Sequence, residues 1–194
     1  MKNIAFIIFI AVACIQWIVP GMMVYEQEST ITNGKVFKFR TEPIDPVHPF
    51  IGRYLVLNYV DTEFTYSGDN EFEYGESVYV SIVEDSAGYA VISQISKETP
   101  ENSPHYITAM IDYRTNDREH GIQEISVEFP FTRMYLEESI APVAEEEYNN
   151  IRRTPREERK PAAAIVSVKE GTSVLTDVQI EGKSIVEIAK EAMK

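Results

Sequence analysis

The feature that most constrains this chain is a run from Ile4 to Val24, 21 residues without a charged side chain. As a helix rising about 1.5 Å per residue it spans roughly 31 Å, close to the thickness of a bilayer's hydrocarbon core. Gln16 is its one strongly polar interruption, and Trp17 suits an interfacial position. Pro20 and Gly21 fall near the far end, where freed backbone groups reach headgroups or water. Lys2 precedes the run while Glu26 and Glu28 follow it, so the positive-inside bias sets the N-terminus in the cytoplasm. The sequence thus predicts a single-pass membrane protein. Residues 1–25 form a cytoplasmic tip and transmembrane signal anchor, and residues 26–194 form an extracytoplasmic (periplasmic) domain. Two rival readings are a cleaved leader ending near Ala11-Val12-Ala13 and a lipobox at Cys14. Against both, the apolar run continues through Ile15, Trp17, Ile18 and Val19.

Beyond the run the hydrophobic period changes to two, the strand signal. Ser29–Thr41 reads as a hairpin with Asn33-Gly34 at its tip, because a type I′ turn needs positive φ at both central positions. Phe37 and Phe39 share one face there, with Lys38 and Arg40 on the other. Leu55, Leu57 and Tyr59 alternate against Tyr54, Val56 and Asn58. Val78, Val80 and Ile82 follow; after a turn over residues 84–88, Ala90 and Ile92 oppose Tyr89, Val91, Ser93 and Ile95. Further strands are expected over 106–113, 122–131, 163–168 and 173–180. A short helix is expected over 142–151, and another over 184–193, capped by Ser184 with Glu187 three residues on. The fold class predicted is mainly β: an antiparallel sandwich or barrel-like domain with an N-terminal transmembrane helix and short C-terminal helical pieces.

Charge narrows the partners. The chain carries 18 Lys and Arg against 31 Asp and Glu, a net charge of −13. Without the inside Lys2 the exported domain stands at −14, so nucleic acid is excluded as a partner and anionic headgroups would repel it. A membrane protein or a cationic ligand suits it better. One cysteine excludes an internal disulfide and any multi-cysteine zinc site. His48, His105 and His120 lie in separate segments without ligand spacing, and the sequence calls for no cofactor. The acidic stretch over residues 61–76 lacks the order of a calcium loop and reads as a solvated connection. The charged stretch over residues 152–160 reads as a solvated loop. No nucleophile constellation or Gly-rich phosphate loop is present, which favours a non-enzymatic interaction protein. The alternatives are an envelope hydrolase or a ligand-binding sensor using carboxylates near Arg40–Asp45.

The most informative stretch is RTEPIDPVHPFIGRYLVLNY, residues 40–59. Pro43, Pro46 and Pro49 keep it extended, Asp45 can hold a turn, and Gly52 opens a strand. Tyr54, Leu57 and Tyr59 supply large packing groups whose hydroxyls, in the tyrosines, need partners if buried. This stretch resembles the signature of the GDYXXLXY family, bacterial membrane-anchored proteins of uncharacterised function. Arg40, Thr41, Glu42, Pro43, Asp45 and Pro46 match its first segment, and Gly52, Tyr54, Leu57 and Tyr59 match its second. Arg53 stands where the motif carries Asp. Downstream, Phe131-Thr-Arg-Met-Tyr135 with Glu137 is similar to the family's later aromatic–acidic block. The resemblance implies an anchored extracytoplasmic β domain, accessory to a multi-spanning membrane protein, with no catalytic residue to carry over. Its motif residues are expected to fix a strand and its packing.

Overall fold

The computed structural model describes residues 2–42, 54–66, 72–101, 103–117, 122–153 and 161–194. Helix α1 (Lys2–Asn33) leads into strands β1 (Lys35–Glu42), β2 (Tyr54–Val56), β3 (Asn58–Tyr59) and β4 (Glu63–Tyr66). Then come β5 (Ser77–Glu84), β6 (Ala90–Ser96), β7 (Tyr106–Asp117), β8 (Ile122–Glu128) and β9 (Arg133–Tyr135). Helix α2 (Ala141–Arg153), β10 (Ala162–Lys169), β11 (Thr172–Ile180), β12 (Lys183–Ser184) and helix α3 (Ile185–Ala192) follow. The fold is mainly β, with antiparallel pairing throughout the named strands. One sheet runs β12-β11-β10-β1-β3, another β4-β8-β7-β5-β6, and β2 pairs with β9. A parallel bridge between Ile107 and Gly171 ties β7 to the β10–β11 turn, and Leu57 N donates to Thr132 O. These links bring the sheets into a nearly closed, barrel-like arrangement.

Alternation builds the core. Phe37, Phe39 and Thr41 of β1 point inward while Lys38 is exposed. Leu55, Leu57 and Tyr59 are buried on the face the sequence pattern assigns them. The chain nevertheless changes partner at Leu57, from β9 on one side to β1 on the other. Strand β10 is buried along most of its length because it lies between β11 and β1. Helix α2 buries Ala144, Tyr148 and Ile151, and α3 buries Ile185 and Ala189, each at helical spacing, and the two helices pack on one another. Ser184 caps α3 by accepting from Val186 N at 3.3 Å while donating to Asp177 Oδ1 at 2.9 Å.

Three sequence expectations need correction. Residues 29–33 are the last turn of α1, not one arm of a hairpin. Thr30 Oγ1 donates back to Glu26 O, and Gly34 N donates to Thr30 O, both at 2.9 Å, so Asn33-Gly34 ends a helix. The strand partner of β1 is β10 instead. The helix continues through residues 25–33, a rise of roughly 14 Å, before β1 begins. Second, Ile95 is buried on the same side as Ala90, because Ser93 is an extra residue between the Ser81–Gln94 and Ile82–Ile92 pairs. Third, the acidic stretch over residues 61–76 contributes an edge strand, β4, and the fully buried Phe72. Residues 154–160 of the expected charged loop lie outside the described residues.

Among the described residues no helix is long and apolar enough to cross a membrane. Within the uncharged run, the side chains of Ala5, Ile7, Ile8 and Ala11 lie outside that description. Successive residues Trp17, Ile18 and Val19, about 100° apart around α1, are all exposed, Trp17 at 78%. In contrast Thr30, where the last turns lie against β10 and β11, is 1% exposed.

Candidate functional site

The two sequence blocks singled out above meet in space. Tyr54, Leu55 and Val56 of β2 pair with Tyr135, Met134 and Arg133 of β9. Behind them four aromatic rings close on one another: Phe39, Tyr59, Phe129 and Phe131, with centroids 5.1–6.0 Å apart. All but one of these contacts are edge-on, the geometry that ring quadrupoles favour; Phe129 and Phe131 stack. The Tyr59 hydroxyl is satisfied inside this cluster by donating to Phe131 O at 2.8 Å. Burial pushes its titration well above the ordinary tyrosine range, with the Tyr148 hydroxyl adding to the effect, so it stays a donor.

In front of the cluster lies a groove of about 480 Å³. Tyr54, Leu57 and Tyr59 wall it on one side, and Asp112, Glu128 and Arg133 carry its charges. The Arg133 guanidinium lies 5.1 Å from the Tyr54 ring centroid, and Tyr135 packs against the same ring at 5.7 Å. Asp112 reaches the groove through a β-bulge. Ile111 pairs with Val127 and Tyr113 with Ser126, so Asp112 is the unpaired extra residue of β7. A bulge of this kind re-aims a side chain that strict alternation would fix. Among the described residues neither Asp112 nor Glu128 has an ion-pair partner. The groove therefore presents two carboxylates, unpaired among the described residues, against an aromatic wall.

The first motif segment is used elsewhere. Arg40 reaches from β1 to Asp61, Nη1 to Oδ2 at 2.9 Å, and to Asp85 through Nη2. Its guanidinium also covers the Tyr89 ring at 4.2 Å. Asp85 Oδ1 accepts from Ala87 N and Tyr89 N, both at 2.9 Å, so the β5–β6 turn is pinned to β1. The Tyr89 N–H, then Arg40, hold the Asp85 carboxyl below its ordinary value, and Asp85 in turn raises Arg40. Thr41 is buried facing α2, while Glu42 pairs in register with Asn58 at the end of β1. Pro43, Asp45, Pro46, Gly52 and Arg53 lie outside the described residues. Among the described residues the carboxylates that Arg40 meets are Asp61 and Asp85, both outside the Arg40–Asp45 segment. No group of three or more His, Cys, Asp or Glu could hold a metal ion among the described residues.

Sequence reasoning missed Asp112 and Glu128. Both sit in strands whose alternation reads as ordinary outward-facing polar positions, and a bulge leaves no local sequence mark.

Fold and groove together define a mainly β domain carried on a long N-terminal helix, with its motif strands lining the groove. Comparison with models of known families matches residues 16–178 to the GDYXXLXY protein. The chain belongs to the GDYXXLXY family. No curated protein and no solved structure matches it.

Proposed function

We propose that this protein is a membrane-anchored, extracytoplasmic interaction module whose groove holds a Lys- or Arg-bearing segment of a multi-spanning membrane partner. The observation that carries the binding role is the groove itself. Two carboxylates that have no ion-pair partner among the described residues face an aromatic wall, an arrangement that receives an ammonium or guanidinium together with its aliphatic stem. Anchoring is supported by the continuous uncharged run of the sequence and by apolar side chains exposed around α1 at Trp17, Ile18 and Val19. A net −14 outside favours a cationic protein segment over anionic lipid as the groove's occupant.

The test is purification of tagged full-length protein from its own membranes in mild detergent, with co-purifying chains identified by mass spectrometry. A stoichiometric multi-spanning partner is expected, lost when Asp112→Asn and Glu128→Gln are combined while the unfolding midpoint stays unchanged. Recovery of the protein alone, under conditions that preserve known complexes, overturns the accessory role. A partner retained equally by the double variant overturns the groove as its seat.

A further inference from the structure

Where α1 meets the β domain, a pocket of about 320 Å³ opens between the helix and the β10–β11 turn. One face of α1 supplies Met22, Tyr25, Glu26 and Ser29, and the turn supplies Lys169 and Glu170. Lys169 Nζ donates to Ser29 Oγ at 2.8 Å, which uses one of its three donors. Thr172 Oγ1 donates to Glu26 Oε1 at 3.4 Å. Among the described residues, Lys169, Glu26 and Glu170 take part in no ion pair. A cation and two carboxylates thus line one cavity without touching.

Height along the helix identifies what reaches this cavity. Met22 lies inside the uncharged run, and Ser29, seven residues on, is roughly 10 Å farther along the axis. With residues 4–24 in hydrocarbon, that interval coincides with the headgroup layer.

We propose that this pocket binds the headgroup of a phospholipid carrying a primary ammonium, with its phosphate on Lys169 and its ammonium on Glu26 and Glu170. The inference rests on the anchored reading above. Phosphate oxygens accept from the two remaining Lys169 donors, and an ethanolamine ammonium offers three N–H groups to the carboxylates. Choline, fully methylated, offers none. An anionic headgroup without an amine leaves both carboxylates unanswered and meets a domain of net charge −14. Met22 and Tyr25 face the glycerol and the first carbons of the acyl chains.

The experiment places the full-length protein in nanodiscs of equal parts dioleoyl phosphatidylethanolamine, phosphatidylcholine and phosphatidylglycerol. Lipid retained after detergent extraction is then counted by native mass spectrometry. Phosphatidylethanolamine is expected to exceed each of the others by about tenfold, the discrimination of one charge-assisted hydrogen bond. That preference is expected to fall to parity in Lys169→Gln and in Glu170→Gln, with thermal midpoints confirming that both variants fold. Equal retention of the three lipids by the wild type overturns the pocket assignment, as does a preference untouched in both variants. A chain that never enters the bilayer overturns the anchored reading itself, so the two failures are distinguishable.

Discussion

The hydroxyl of Tyr59 donates to the main-chain carbonyl of Phe131, 72 residues away in sequence, at 2.8 Å and out of contact with water. One bond joins the last residue of the G-x-Y-x-x-L-x-Y stretch to the start of the downstream aromatic block. Tyr59→Phe keeps the ring and its three aromatic neighbours but removes the donor, leaving a buried carbonyl without this partner. The expected loss is about 1–2 kcal/mol. Urea unfolding should show a lower midpoint with an unchanged slope. A midpoint equal to the wild type would refute the role given to this hydroxyl.

Tyr148→Phe should behave in the opposite way. Tyr148 is 1% exposed, and burial pushes its hydroxyl up to about 12. Thr41 is near enough to pull that titration back down, yet among the described residues neither Thr41 Oγ1 nor Tyr148 OH meets hydrogen-bond geometry with a partner. Burying an unanswered hydroxyl costs about 1–3 kcal/mol, so its removal should leave stability unchanged or raise it. The same unfolding assay decides, and a drop matching that of Tyr59→Phe would contradict the expectation.

Asp85 makes part of the stability depend on acid. Its carboxyl is held below the ordinary 3.8, first by the Tyr89 N–H and then by Arg40. A depressed carboxyl contributes stability that is complete above its unfolded value and is lost as pH falls through its folded value. Asp85→Asn should therefore lower the thermal midpoint at pH 7, and the gap to the wild type should close below about pH 4. Added salt should narrow the gap at pH 7, because these groups are partly open to solvent. A gap that persists unchanged at pH 3 would mean the carboxylate charge is not what pins this turn.

Gly34 permits the close approach between α1 and the sheet. A Cβ there would lie 2.4 Å from Thr30 O and 3.0 Å from Val168 O, both backbone atoms that cannot swing aside. Gly34→Ala should cost about 1–3 kcal/mol, the range for forcing extra atoms into a packed site. Limited proteolysis should also find a new cut near residues 30–36. An unchanged midpoint with no new cut would show that this junction is looser than its geometry.

Much of the β domain was legible because alternation is a local signal. Phe37 and Phe39, Leu55, Leu57 and Tyr59, and Val78, Val80 and Ile82 all went inward as their spacing indicated. The Ser184 cap was equally readable, since a hydroxyl just before an amphipathic stretch has few other uses. What failed was decided from a distance. Asn33-Gly34 carries the local chemistry of a hairpin, but Lys169 holds Ser29 from 140 positions away and the preceding helix simply runs on. The partners of Arg40 lie 21 and 45 residues downstream, on two different connections. Asp112 enters the groove only because β7 bulges against β8, a choice made by the pairing of two strands.

The junction at Gly34 has one more consequence. A helix that passes into a sheet through a single residue has no room for a swivel, so β barrel and helix turn as one body. For a chain anchored as proposed, the groove keeps a constant elevation above the lipid and varies only in compass bearing. A partner fixed in the same plane then searches one angle instead of three, and even a shallow groove can be found often enough to serve.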